Sequence, residues 1–277
     1  MTPAILLTVL LAAQTFAPGL DLSPHEEKFV EVNGARLQYL DWGGRGQTLI
    51  LLPGLGSSAH VFDRLALHFT SRFHVIALTP RGQPPSSIPA VGYDLATLSD
   101  DIWKMMQALG LSRAHLAGAG VAGAEMTRLA ALYPHRVLSL VYLDAYDGAE
   151  ANEVLQGDPA KPLPPPRASI PWRIEAWWTT HAEDFSVVRC PALALYELQQ
   201  VDPYVPPDAP DSLRARADMY WQTQVAAFVR HSAERFEREV PHGRAIVFDR
   251  GSGVVFRDHE AEVADAMDRF YSAHPPR

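Results

Sequence analysis

A chain of 277 residues, 47% of them hydrophobic, is long enough to bury a three-layer core as one domain. Its formal charge of −8 argues against nucleic acid or an anionic membrane surface as a partner. The single cysteine, Cys190, excludes an intrachain disulfide framework. No spacing of His, Cys or carboxylates resembles a metal site, and there is no phosphate loop or dinucleotide fingerprint, so neither metal nor cofactor is expected.

Residues 1–17, MTPAILLTVLLAAQTFA, hold an apolar core over residues 4–13 and small residues at Thr15 and Ala17. The run is too short to span a bilayer and resembles a secretory signal peptide. That reading implies export to the periplasm or beyond, with no integral membrane span once the leader is removed. The alternative is an amphiphilic tail or membrane anchor, because no Lys or Arg precedes the apolar core.

The rest of the chain, residues 24–277, reads as alternating strands and helices. Residues 28–32 and 36–42 flank Asn33-Gly34, a strong hairpin signal. TLILL at 48–52 predicts a buried strand that runs into Pro53-Gly54-Leu55-Gly56-Ser57-Ser58. A helix over 59–69, a strand over 73–78 and an amphipathic helix over 95–109 follow. The stretch 113–144 then reads as a strand, a glycine-rich turn, a helix stopped by Pro134, and the wholly apolar strand VLSLVYL, which makes a βαβ unit. Further strands are predicted at ALALY (192–196) and AIVF (245–248), with a long helix over 211–239 and a closing helix over 260–271. Cys190 opens the ALALY run and reads as a buried structural thiol. No internal repeat is visible.

The turn Gly118-Ala119-Gly120-Val121-Ala122-Gly123 resembles the nucleophile elbow, G-x-S-x-G, of the α/β-hydrolase family. The resemblance implies an α/β fold with a mostly parallel eight-stranded sheet flanked by helices. It also implies a small lid insertion at about 148–189, where a proline cluster and Trp172, Trp177 and Trp178 fall between two core strands. A surface excursion pinned by its tryptophans is the alternative, but three tryptophans within seven residues bring more apolar area than a bare loop needs.

Family chemistry needs a nucleophile, a base, an acid that orients the base, and two N–H groups facing an oxyanion. Here the resemblance places Gly120 at the nucleophile position and Gly253, three residues before Phe256, at the base position. Neither can carry the chemistry. The oxyanion loop LLPGLGSS survives, and the match assigns its donors to the N–H groups of Leu55 and Val121. The acid is expected at or near Gln200. Asp202 is a possible surviving acid or a plain turn residue before Pro203, and Asp144 is the other carboxylate at the sheet's carboxyl edge. The loop after Leu78, TPRGQPPSS, has proline where relatives more often have a second glycine. Ser57, Ser58, Ser252 and His60 are ordinary loop and cap residues, with His60 beside the expected pocket, and His259 reads as part of a solvated helix start.

Two functions are consistent with this reading. One is a pseudo-hydrolase that has lost the Ser-His-Asp triad and binds a small apolar or aromatic molecule, or nothing. The other is an enzyme, esterase-like or non-hydrolytic, that uses a relocated catalytic group.

Overall fold

The computed structural model describes residues 23–160, 170–199, 205–251 and 253–275. The predicted leader, Gln200, Asp202 and Ser252 lie outside them. Eight strands form one sheet: β1 (Glu26–Val32), β2 (Ala35–Gly44), β3 (Thr48–Leu52), β4 (His74–Leu78), β5 (Ala114–Ala119), β6 (Val137–Leu143), β7 (Ala192–Gln199) and β8 (Arg244–Gly251). Their order is β1-β2-β4-β3-β5-β6-β7-β8. The β1–β2 and β2–β4 pairs are antiparallel and every later pair is parallel.

The hairpin closes where Asn33 (φ 47°) and Gly34 (φ 69°) both take positive φ, as a two-residue turn of this kind requires. The central strands read as continuous apolar runs because both of their faces are covered. Ile50, Ile76, Leu116 and Tyr142 face one layer, with α2 (Leu95–Ala108), α3 (Ala122–Leu132) and α7 (Ala226–Glu239). Leu49, Leu51, Val75 and Ala77 face the other, with α1 (Asp63–Leu67) and α9 (Glu260–Ala273). The side-chain period of two in the strands thus sorts the core into two clusters on either side of the sheet.

Several boundaries differ from the periodicity. The helix expected over 59–69 is a 3₁₀ turn, Ala59–Phe62, leading into the short α1. The long helix over 211–239 is α6 (Asp211–Tyr220) and α7 joined by a π-helical turn, Trp221–Val225. A one-turn helix, α8 (Val255–Asp258), precedes α9, so Asp258 ends one helix and does not cap the next.

Between β6 and β7 the chain leaves the sheet through α4 (Gly148–Leu155) and α5 (Ile170–Trp178) and returns by a 3₁₀ turn, Phe185–Val187. Asp147 holds both ends of this excursion. One oxygen caps α4 by accepting from the Glu150 N–H at 3.0 Å, and the other accepts from the Glu183 N–H at 2.6 Å. Arg235 of α7 donates to Asp147 at 3.0 Å and to the Glu183 carbonyl at 2.7 Å, which ties the excursion to the helix layer. Among the described residues no helix is long and apolar enough to cross a membrane.

A candidate site at the carboxyl edge of the sheet

β5 ends at Ala119, the chain turns through Gly120 at φ 52°, and α3 begins at Ala122. The three glycines here serve different ends. A Cβ on Gly118 would lie 2.9 Å from the Met126 sulfur, and one on Gly123 would lie 2.7 Å from the Ala145 Cβ, so both are required by packing. A Cβ on Gly120 would meet nothing nearer than the Gly54 Cα at 3.8 Å. Only the left-handed backbone favours glycine at that position, and the space above it is open.

The loop after β3 lies directly against this turn. Gly54 approaches Ala119 so closely that a Cβ would sit 3.4 Å from its carbonyl oxygen. The loop is fixed by the Ser57 N–H donating to the Gly54 carbonyl at 3.2 Å. The Ala59 N–H donates to the Thr79 hydroxyl at 2.9 Å, and that hydroxyl in turn donates to Gln38 at 2.6 Å. Among the described residues, neither the Leu55 nor the Val121 N–H has an acceptor, so both donors of the expected oxyanion pair are unspent. His60 stands on the same loop with Nδ1 3.1 Å from Asp63 and its ring edge-on to His25, toward Trp42.

α5 covers the pair. Ile170, Ile174, Trp177 and Trp178 pack with Leu55, Tyr93, Leu98 and Val121 in one apolar cluster. The Trp177 indole donates to the Tyr93 carbonyl at 2.8 Å, and Arg173 donates to the Ala90 carbonyl. Gly82, at φ 84°, lets the loop after β4 come this close: a Cβ there would lie 2.7 Å from both Ile170 and the Tyr93 ring. Trp172 is in α5, but its side chain lies outside the described atoms.

The other half of the edge is organised around two carboxylates. Gly253 sits at φ 108°, with a Cβ position 2.6 Å from the Gln199 amide nitrogen. Its N–H donates to a Glu197 carboxylate oxygen at 2.6 Å. Glu197, on β7, is 2% exposed, and a Cβ on Gly251 would fall 1.5 Å from its carboxyl carbon. The carboxylate therefore lies directly beneath this loop, and burial raises its pKa.

Asp144, at φ 46°, accepts from the Glu197 N–H at 2.9 Å with one oxygen and from the Val255 N–H at 2.7 Å with the other. Burial pushes its pKa up to about 7, against the pull of those two amides. Asp144 thus has both oxygens on backbone amides and Glu197 has one, and the histidine that the described residues bring near them is His259. That residue is not solvated. It is half-buried and stacks on Phe248 with centroids 5.1 Å apart. Its Nε2 is 3.7 Å from Glu197, and both atoms lack a hydrogen-bond partner among the described residues. Burial pushes the Cys190 thiol up to about 12, which leaves it a poor nucleophile.

Two residues of this edge escaped sequence reasoning. Glu197 lies inside the apolar run ALALYELQ, in step with Leu193 and Leu195, and a charge inside a buried strand was the available signal. Glu125 lies on α3, four residues after Val121 and hence on the same helix face. It is 8% exposed, and burial first, then the nearby Asp101 charge, pushes its pKa up to about 8. Among the described residues no group of three or more His, Cys, Asp or Glu is placed to hold a metal ion.

Comparison with known proteins agrees with this fold. The family model described as alpha/beta hydrolase fold matches residues 47–194. The chain is 31% identical over 115 residues to a 2-(acetamidomethylene)succinate hydrolase of Mesorhizobium japonicum, a stretch covering 41% of each protein. It is 34% identical over 116 residues to an N-formylmaleamate deformylase of Pseudomonas putida, covering 42% of this chain and 43% of that one. These likenesses span less than half the length of the relatives. The crystal structure of an E-2-(acetamidomethylene)succinate hydrolase superposes with a TM-score of 0.66 over 90% of this chain and 99% of that one, at 17% identity, a likeness of fold.

Proposed function

The chain belongs to the α/β-hydrolase fold family, and from that footing we propose that it is a pseudo-hydrolase: it no longer runs serine chemistry and uses the covered site to bind a small apolar or aromatic molecule. The observation that carries this reading is the state of the base loop. A triad needs a histidine oriented by a carboxylate. Here Glu197 and Asp144 each hold one backbone N–H of the segment after β8, and on this reading Gly253 takes the base position.

Magnitude favours binding over turnover. Loss of a triad costs about 10⁶ in turnover, while an oxyanion hole and binding alone keep only ~10³ to 10⁴ over water. What survives suits binding: two free N–H groups at Leu55 and Val121, able to hold a carbonyl or carboxylate, beneath an apolar cover from α5. We read the excursion between β6 and β7 as the lid over that site, and the leader pattern as export.

A second reading draws on Glu197 and His259, 3.7 Å apart. It is a hydrolase whose acid and base have moved, in keeping with relatives named as hydrolases. One experiment separates the two. Under the first reading, a fluorophosphonate probe leaves the protein unlabelled and activated esters turn over at background rate. Stoichiometric labelling of any serine, mapped by mass spectrometry, overturns it and promotes the second.

A further inference from the structure

A surface groove lies between the first turns of α2, the last turns of α3 and the β1–β2 turn at Asn33. Its volume is about 460 Å³, within the range of roughly 300–1,000 Å³ usual for small-molecule sites. α3 is 11 residues long, so about 16 Å of helix separates this groove from the Val121 amide and the covered site. Neighbouring contacts hold the three walls together. Asn33 Nδ2 donates to Asp100 at 3.1 Å and to Asp101 at 2.9 Å, which ties the hairpin to α2. Tyr133 of α3 stacks on Trp103 of α2 with ring centroids 4.4 Å apart.

Two opposite charges line this groove and do not meet. Arg128 of α3 makes no hydrogen bond or ion pair among the described residues. Asp100 of α2 has one oxygen on Asn33 and no cation beside it among those residues, and Asn33 Oδ1 accepts from no donor there. Between the charges the wall is apolar: Leu129 is buried, and Leu132 is 54% exposed. A simple anion on Arg128 would face the Asp100 carboxylate across the groove, and a simple cation on Asp100 would face Arg128. A ligand that carries both charges on neighbouring atoms satisfies both walls at once.

We propose that this groove is a second binding site, for a free α-amino acid with an apolar side chain. Its carboxylate takes the Arg128 guanidinium, whose planar fork matches two carboxylate oxygens. Its ammonium donates to Asp100 and to Asn33 Oδ1, and its side chain covers Leu132. Both ion pairs stay open to water, so each adds little and the dissociation constant should be about 0.1–1 mM. The site stands on its own residues, and the pseudo-hydrolase reading does not bear on it.

The test is calorimetric titration of the full chain, at neutral pH and low salt, with L-phenylalanine, phenylalaninamide and N-acetylphenylalanine. The amide lacks the carboxylate charge and the N-acetyl compound lacks the ammonium. Wild type should bind each of them about fivefold more weakly than phenylalanine. Arg128→Gln and Asp100→Asn should each weaken phenylalanine by about fivefold with an unchanged denaturation midpoint. The matched losses should not add: Arg128→Gln should bind phenylalanine and its amide alike, and Asp100→Asn should bind phenylalanine and its N-acetyl form alike. Should either variant fail to fold, the three ligands on wild type still decide. No binding of phenylalanine by wild type at millimolar concentration overturns the site. So does undiminished binding in both variants, or a loss in the variants that is equal for all three ligands. Wild-type binding of the amide or the N-acetyl form as tight as that of phenylalanine overturns the pairing of charges.

Discussion

The two halves of the sheet's carboxyl edge are built differently. At the elbow the backbone turns sharply: Gly120 holds a left-handed φ of 52°, Gly54 packs against it, and among the described residues the Leu55 and Val121 amides have no acceptor. A side chain at Gly120 would meet no clash. Across β6, the loop after β8 is more constrained. Gly253 at φ 108° and Gly251 over the Glu197 carboxylate admit no Cβ without displacement, and Asp144 and Glu197 have become braces for the loop. Under the pseudo-hydrolase reading, loss of a nucleophile leaves the packing at the elbow intact, and loss of a base leaves two carboxylates that hold backbone amides instead.

That contrast can be broken most severely at its brace. Asp144→Ala leaves the Glu197 and Val255 amides buried without acceptors, and should lower stability by about 2–6 kcal/mol at about one to three per orphaned group. The urea midpoint at unchanged slope reads it. A loss under about 1 kcal/mol would mean that the base loop is held by something else.

The next effect is pH-driven and involves one acid from each half. Asp144 is raised from 3.8 to about 7 and Glu125 from 4.5 to about 8. Both bind protons more tightly when folded, so their contribution is full below about pH 4 and is lost as pH rises through 7 and then 8. Carboxylates with lowered values, such as Asp41 and Asp147, act oppositely and set the acid limb. Between about pH 5 and 8.5 stability should fall by about 2–4 kcal/mol. Denaturant melts across pH check this, and Glu125→Leu should remove the upper part of the fall.

Substitution at the two glycines compares the halves directly. Gly253→His meets both strain and the Gln199 amide and should cost about 1–3 kcal/mol. Combined with Gly120→Ser it should still show no hydrolysis of 4-nitrophenyl acetate, because Asp144 has both oxygens on backbone amides and the open oxygen of Glu197 already faces His259. Measurable turnover would show that the base half is less committed than its hydrogen bonds imply. Gly120→Ser alone should cost least, about 0.5–2 kcal/mol: conformational strain less the entropy that glycine adds to the unfolded chain, with no clash. An unchanged midpoint would show that a side chain is welcome at the elbow without strain.

Local signals were enough to read most of the architecture. The Asn33-Gly34 turn, the apolar runs of β3 and β6, and the glycines at Gly118, Gly120 and Gly123 act within a few residues of themselves, so periodicity and turn chemistry reach them. The same reading picked out Gly120 and Gly253, both of which take positive φ. It did not find Glu197, the brace made by Asp144, the half-buried stack of His259, or the lone carboxyl of Glu125. Those depend on which groups the folded chain brings together: Asp144 meets amides 53 and 111 residues away, and Glu125 is isolated by strands and loops from three other parts of the chain. A residue's type and periodic phase say which face it takes. Whether a buried carboxylate there finds a donor is decided by backbone N–H groups that come to it only when the sheet is assembled.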